Sequence, residues 1–197
     1  IGGMNSGGPV TDTWVSRNGT SWTEDVRQRA NLVRQDAVAQ AQEAAVLDGI
    51  LWVVSKRTEW DGFRRYDVGT VIGYDGREYY YPEDDYLFPG RIGTALISFR
   101  DRLWLIGGGW IDWSYHLDVS GMNDIWSSNN GTSWTLVTDY AGFPLRYEHT
   151  AVATPDRIYV LGGSPYGTID APQEPMNDIW YTDLPTLLGS RNWESYR

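Results

Sequence analysis

The chain of 197 residues contains no cysteine and only two histidines, His116 and His149. Without cysteine there is no disulfide framework, no thiolate nucleophile and no cysteine-ligated metal. No apolar run approaches the roughly 18 residues of a membrane span. Positive charge is scarce as well: 16 Lys and Arg stand against 26 Asp and Glu, a net charge of −10. That balance lacks the basic footprint a polyanion needs, which excludes nucleic acid, and it disfavours acidic partners and strongly anionic membranes. Helical character is confined to Glu24–Gly49, rich in Gln, Ala and Arg. An irregular or helical connection is expected over Val26–Ala39, with a strand near Gln42–Leu47.

What is abundant is Trp (11), Tyr (13) and Gly (22), a composition that suits packed sheets joined by tight turns. "MNDIWSSNNGTSWT" (Met122–Thr135) has relatives in "VTDTWVSRNGTSWT" (Val10–Thr23) and "MNDIWYTDLPTLLGSRNW" (Met176–Trp193). Gly2-Gly3, Gly107-Gly108 and Gly162-Gly163 precede these copies, the last two after the apolar runs "RLWLI" and "RIYVL". Trp126 and Trp180 are 54 residues apart, and Trp14 and Trp126 are 112 apart, about two periods. A degenerate copy falls between: "LDGILWVV" (Leu47–Val54) matches "FRDRLWLI" (Phe99–Ile106), and "GYDGREY" (Gly73–Tyr79) matches "SNNGTSW" (Ser128–Trp134). Each period reads as four strands, the last two joined by an Asn-Gly hairpin, the strongest short hairpin signal because both residues tolerate positive φ.

A period near 55, an apolar strand ending in Gly-Gly and a spaced Trp pair resemble the kelch-repeat family of β-propellers, whose repeats run to roughly 50 residues. The resemblance implies an all-β propeller of about four four-stranded blades over residues 1–197: 1–26 in part, 40–88 degenerate, 91–140 and 144–197. Single-chain kelch propellers close with more blades than this, so the segment is expected to belong to a larger ring. Ile1 falls inside a repeat, and the sequence is expected to be a piece of a longer protein. The remainder of the chain or other copies would complete the ring. Trp14, Trp126 and Trp180 are expected to pack between blades. "SSNNGTSW" (Ser127–Trp134) also looks like the Asp-box hairpin of sialidase-type propellers, with Asn129 in place of Asp, and "SRNGTSW" (Ser16–Trp22) is one residue short of it.

No constellation for catalysis emerges. His149 begins a strand, where kelch blades carry a structural His. His116 lies among loop carboxylates without metal-ligand spacing, and "YPEDDY" (Tyr81–Tyr86) lacks the spaced ligands of a calcium loop. The copper site of the galactose-oxidase branch needs a Cys and more His than are present. No metal and no cofactor are expected. The loops on one face of such a propeller carry Trp60, Arg64, Arg65, Trp110, Trp113, Tyr115, His116 and Tyr166. Aromatic residues beside Arg and Asp point to a protein or glycan partner. The expected function is a non-enzymatic interaction or structural assembly module, extracellular or exported. The competing reading is a kelch-fold enzyme acting on a sugar, mutarotase- or sialidase-like, with its site at the central opening. Asn18 and Asn130 head Asn-Gly-Thr sequons and are candidate glycosylation sites on exposed turns.

Overall fold

The computed structural model describes residues 3–5, 8–10, 14–24, 43–82, 86–113, 118–168, 171–173, 175–183 and 193–196. Among these residues every regular element is a strand. The all-β expectation holds, while the connection expected over Val26–Ala39 lies outside the described residues. Two short antiparallel ribbons come first, β1 (Gly3–Asn5) with β2 (Gly8–Val10) and β3 (Trp14–Val15) with β4 (Thr23–Glu24). A larger sheet follows in the order β5 (Glu43–Leu47), β6 (Ile50–Trp60), β7 (Arg65–Tyr74) and β8 (Tyr79–Tyr80), with β9 (Phe88–Pro89) also on β7. The next contains β10 (Ala95–Ser98), β11 (Leu103–Asp112), β12 (Asp118–Ser128) and β13 (Thr135–Thr138). The chain then enters β14 (Thr150–Ala153) and β15 (Arg157–Leu161). It returns to β12 through the ribbon β16 (Tyr166–Thr168) and β17 (Ala171–Gln173), then completes the last sheet with β18 (Ile179–Asp183) and β19 (Glu194–Tyr196).

The strands arise from two patterns, near-continuous apolar runs covered on both faces as in β11 and period-two alternation as in β12. Along β12, Val119, Gly121, Asn123 and Ile125 are buried on one side, while Asp124 and Trp126 are half-buried on the other, against Arg91 and Phe88. The sheets stack through two apolar clusters. Leu47, Trp52, Val54 and Val71 meet Phe88, Leu103 and Leu105. Trp104, Ile106 and Ile125 meet Phe143, Ile158, Val160 and Trp193. Trp126 and Trp180 are half-buried and pack against these clusters. Trp14 does not follow the expectation. It is 47% exposed, because its two-residue ribbon lies against neither cluster.

The two Asn-Gly hairpins are identical in design. In one, Ser128 Oγ accepts from the amides of Asn130 and Gly131, and Asn130 Oδ1 accepts from those of Thr132 and Ser133. Trp134 Nε1 closes the turn on the Gly131 carbonyl. Ser16, Asn18, Gly19, Thr20, Ser21 and Trp22 repeat every one of these bonds. Asn130, rather than Asn129, therefore occupies the locking position, and the Ser16–Trp22 turn is not a residue short. Asp75 performs the same service for the amides of Arg77 and Glu78. These hydrogen bonds hold its carboxyl below the usual carboxylate range.

A second repeated device joins the sheets. Phe88-Pro-Gly-Arg91 and Phe143-Pro-Leu-Arg146 recur 55 residues apart as lead-ins to β10 and β14. Arg91 makes a bidentate pair with Asp124 at 2.7 and 2.9 Å and also donates to the Gly107 and Pro89 carbonyls. Arg146 does the same with Asp178, Gly162 and Pro144. Each guanidinium lies over the phenylalanine of its own lead-in. Each aspartate further accepts from an indole, Trp126 Nε1 on Asp124 and Trp180 Nε1 on Asp178. The recurrent Asp-x-Trp spelling is thus an Arg clamp with an indole closing it. Gly107-Gly108 and Gly162-Gly163 all have φ between 53° and 108°. This left-handed backbone bulges β11 between Ile106 and Gly108 and turns the Gly107 carbonyl to Arg91.

Candidate functional site

The two longest strand pairs run past the sheets they belong to. β6 and β7 stay paired to Trp60↔Arg65, and β11 and β12 to Asp112↔Asp118. The segments read from sequence as loops are therefore largely projecting ribbons, and Trp60 and Trp110 sit in strands rather than loops. At the first tip, Asp61 Oδ1 accepts from the amides of Phe63 and Arg64 at 2.8 and 2.9 Å, across Gly62 at φ 96°. Those bonds, with the nearby Arg64 guanidinium, hold the Asp61 carboxyl below its ordinary value. The locked turn thrusts Phe63 into solvent at 92% exposure.

Between the ribbons lies a cleft of about 760 Å³. Trp60, Phe63, Arg64, Arg65 and Tyr66 form one wall, and Trp110, Ile111, Asp112 and Trp113 the other. Five of the eight residues expected to form a binding face are thereby brought together: Trp60, Arg64, Arg65, Trp110 and Trp113. Trp60 is 64% exposed and Trp110 45%. Tyr166 lies outside the cleft but continues its surface. It is paired with Ser120, which is in turn paired with Trp110, so the two aromatic side chains stand in one row across three strands. Tyr115 and His116 lie outside the described residues.

The foundation of the cleft is a feature that sequence reasoning missed. Lys56 and Asp67 form a buried ion pair at 3.0 Å, with side chains 4% and 2% exposed. Thr58 Oγ1 donates to the second oxygen of Asp67 at 2.7 Å. Lys56 Nζ stands 5.2 Å from the ring centre of Trp113, within cation–π reach. Ile111, Val119 and Tyr147 form a small apolar cluster behind this wall, with Trp113 against it. The cross-strand Lys-Thr/Asp pattern was visible in "SKRTEWDGFRRYD", but only pairing across the turn shows which positions meet.

His149 is 4% exposed and belongs to the core, and neither imidazole nitrogen has a partner at good hydrogen-bond geometry. Burial pushes its pKa down to about 4, the Arg146 guanidinium works in the same direction, and the Ile106 carbonyl pulls weakly the other way. Burial also works to raise the Asp178 carboxyl, but hydrogen bonds from Arg146 and Trp180 outweigh it and hold the group below the ordinary range. Among the described residues no group of three or more His, Asp or Glu side chains converges to hold a metal ion. Nor is any helix among them long and apolar enough to cross a membrane. Asn18 and Asn130 are both exposed at their hairpin tips.

No family model matches the chain, and neither does any curated protein. Among solved structures it is similar to one described as "Structure of YjhT", with a TM-score of 0.63 and 11% identity. The match covers 96% of this chain and 52% of the other, so the chain spans about half the length of that neighbour. The likeness is one of fold, an all-β chain of stacked antiparallel sheets.

Proposed function

We propose that the chain is a segment of a kelch-type β-propeller that works as a binding module, taking a protein or glycan in the cleft between its two projecting ribbons. One observation carries this reading: Trp60 and Trp110, side chains that would ordinarily be buried, stand exposed on facing walls of a preformed cleft. Exposed aromatic residues on rigid strands offer large contact area at low entropic cost, and Arg64, Arg65 and Asp112 supply directional polar contacts beside them. The Asp61 turn and the Lys56–Asp67 pair hold the first wall before any ligand arrives, and Lys56 over the Trp113 ring ties it to the second. The propeller reading rests on the repeat, the double glycines and the fold likeness. An extracellular or exported setting agrees with the absence of cysteine and the net charge of −10.

The test is a tryptophan-fluorescence titration of the chain against a panel of oligosaccharides and extended peptides. Wild-type protein should show a saturable change with one ligand class. Trp60→Ala should abolish it without altering the unfolding midpoint, since Trp60 is largely exposed. Unchanged affinity in Trp60→Ala and Trp110→Ala would remove the cleft from the reading. Turnover of a sugar by the wild type would favour the competing enzyme.

A further inference from the structure

Each described junction between successive repeat units is made in the same way. The lead-in of the following unit lays its backbone on the third strand of the preceding one. Phe88 and Pro89 pair with Gly69 and Val68 of β7, and the Gly90 amide donates to the Asp67 carbonyl. At the next junction the amides of Ala141 and Arg146 donate to the carbonyls of Asn123 and Met122 at 2.9 Å each. There the Asn123 side chain completes the seat, its Nδ2 donating to the carbonyls of Ala141 and Phe143 at 3.0 and 2.9 Å. Asn123 is 2% exposed as a result.

Met122-Asn123-Asp124-Ile125-Trp126 recurs as Met176-Asn177-Asp178-Ile179-Trp180. Asp178 and Trp180 make the bonds that Asp124 and Trp126 make. Asn177 does not, and it is exposed. The sheet around it is open in the same sense. Ala95, Trp104, Ile106 and Ile125 are buried beneath the following unit. Their counterparts Thr150, Tyr159, Leu161 and Ile179 are exposed or half-exposed, and Val152, counterpart of Ile97, is 47% exposed.

We propose that this face of the β14–β15–β18–β19 sheet is a docking surface for one further unit of the same repeat, with Asn177 as the anchor that receives its Phe-Pro-x-Arg lead-in. The proposal rests on the repeat reading given above and not on the cleft, so its failure would leave the cleft standing. Continuity selects the occupant. Both described junctions use the same strand and the same lead-in, and the lead-in's arginine pairs with an aspartate of its own unit. The docking face therefore has to offer only carbonyls, an amide and apolar area. It has these in Met176, Asn177 and the adjoining rows of Val152 with Tyr159 and Leu161 with Ile179. A buried carboxamide serving two carbonyls also fixes register, because a shift of one residue would leave both oxygens unpaired.

The test uses the full chain with a synthetic peptide of residues Asp139–Ala153, which carries one lead-in and its first strand. In 15N–1H spectra, the Asn177 side-chain amide and the Val152 and Ile179 backbone amides should shift saturably. A scrambled peptide should leave them unmoved. Asn177→Asp keeps the size of the side chain, removes both donors and should weaken binding about tenfold, the equivalent of one to two hydrogen bonds. Absence of shifts at millimolar peptide would overturn the proposal, as would full affinity in Asn177→Asp. So would the same shifts produced merely by concentrating the chain, which would make the occupant a second copy.

Discussion

Substituting Asp124 by Ala offers the sharpest probe of how the sheets are held together. The Arg91 side chain is wholly buried, while its partner Asp124 is 16% exposed. Removing Asp124 leaves a guanidinium without a counter-charge in the interior, a situation that costs about 3–5 kcal/mol. Removing the other partner is less severe. Arg91→Met keeps an apolar stem over Phe88 and leaves Asp124 where water and the Trp126 indole can still serve it. The Pro89 and Gly107 carbonyls lose their side-chain donors, so the cost should be about 2–3 kcal/mol. Once Arg91 is gone, removal of Asp124 should add little, so the coupling energy in the double-mutant cycle should approach the full cost of Asp124→Ala, about 3–5 kcal/mol. Urea unfolding of the four proteins, monitored by tryptophan fluorescence, reads all three quantities provided the m-value is constant. If Asp124→Ala cost less than Arg91→Met, or both fell under about 1 kcal/mol, the clamp would not be what ties the lead-in to its sheet.

His149 predicts a pH dependence of stability. Its folded pKa of about 4 lies below the ordinary histidine value of 6.5, so between these values the unfolded chain binds the proton and the folded chain does not. Stability from this group is complete above about pH 6.5 and is lost as pH falls towards 4, about 3 kcal/mol in all. His149→Thr, which places there the residue found at the equivalent Thr94, should flatten that part of the curve in urea titrations. An unchanged slope would show that the imidazole charges in place. Gly69→Ala should destabilise the chain by roughly 1–3 kcal/mol, because a Cβ there would overlap the Phe88 ring and carbonyl. A wild-type melting temperature would mean that the lead-in shifts freely. Asn130→Ala should cost about 1 kcal/mol through loss of the turn's acceptor, while Asn130→Asp should be nearly neutral. If the chain is made through a eukaryotic secretory route, mass spectrometry should find glycan on Asn18 and Asn130, and unmodified asparagine would leave them as turn residues alone.

Much of the strand framework was written locally. Apolar runs marked β10 and β11, the repeated Asp-x-Trp spelling marked β12, and the Asn-Gly turns at Asn18 and Asn130 declare themselves because their hydrogen bonds close within four residues of chain. Even the Phe-Pro-x-Arg lead-ins, overlooked beside the tryptophans, left a legible trace in their 55-residue spacing. The second unit was harder to read because its sequence carries no Phe-Pro-x-Arg lead-in. Thr70 stands at the register position of Asp124, and Lys56 with Asp67 forms an ion pair of its own on the same two strands.

The burial of Trp14 was misjudged for a related reason. The Asp-x-Trp spelling fixes a residue's place in its own unit, but whether an indole is covered depends on the unit that packs against it. The cleft was decided by tertiary structure alone. That Trp60, Arg64 and Trp110 are surface residues of long connections is a statement about chain position. That they face one another depends on how far β6 and β7, and β11 and β12, continue to pair beyond their sheets, and on the angle at which two sheets stack. Local sequence sets strands and turns because backbone preference and hydrogen bonding act over a few residues. Distances between residues fifty positions apart are set only when the apolar clusters between the sheets close.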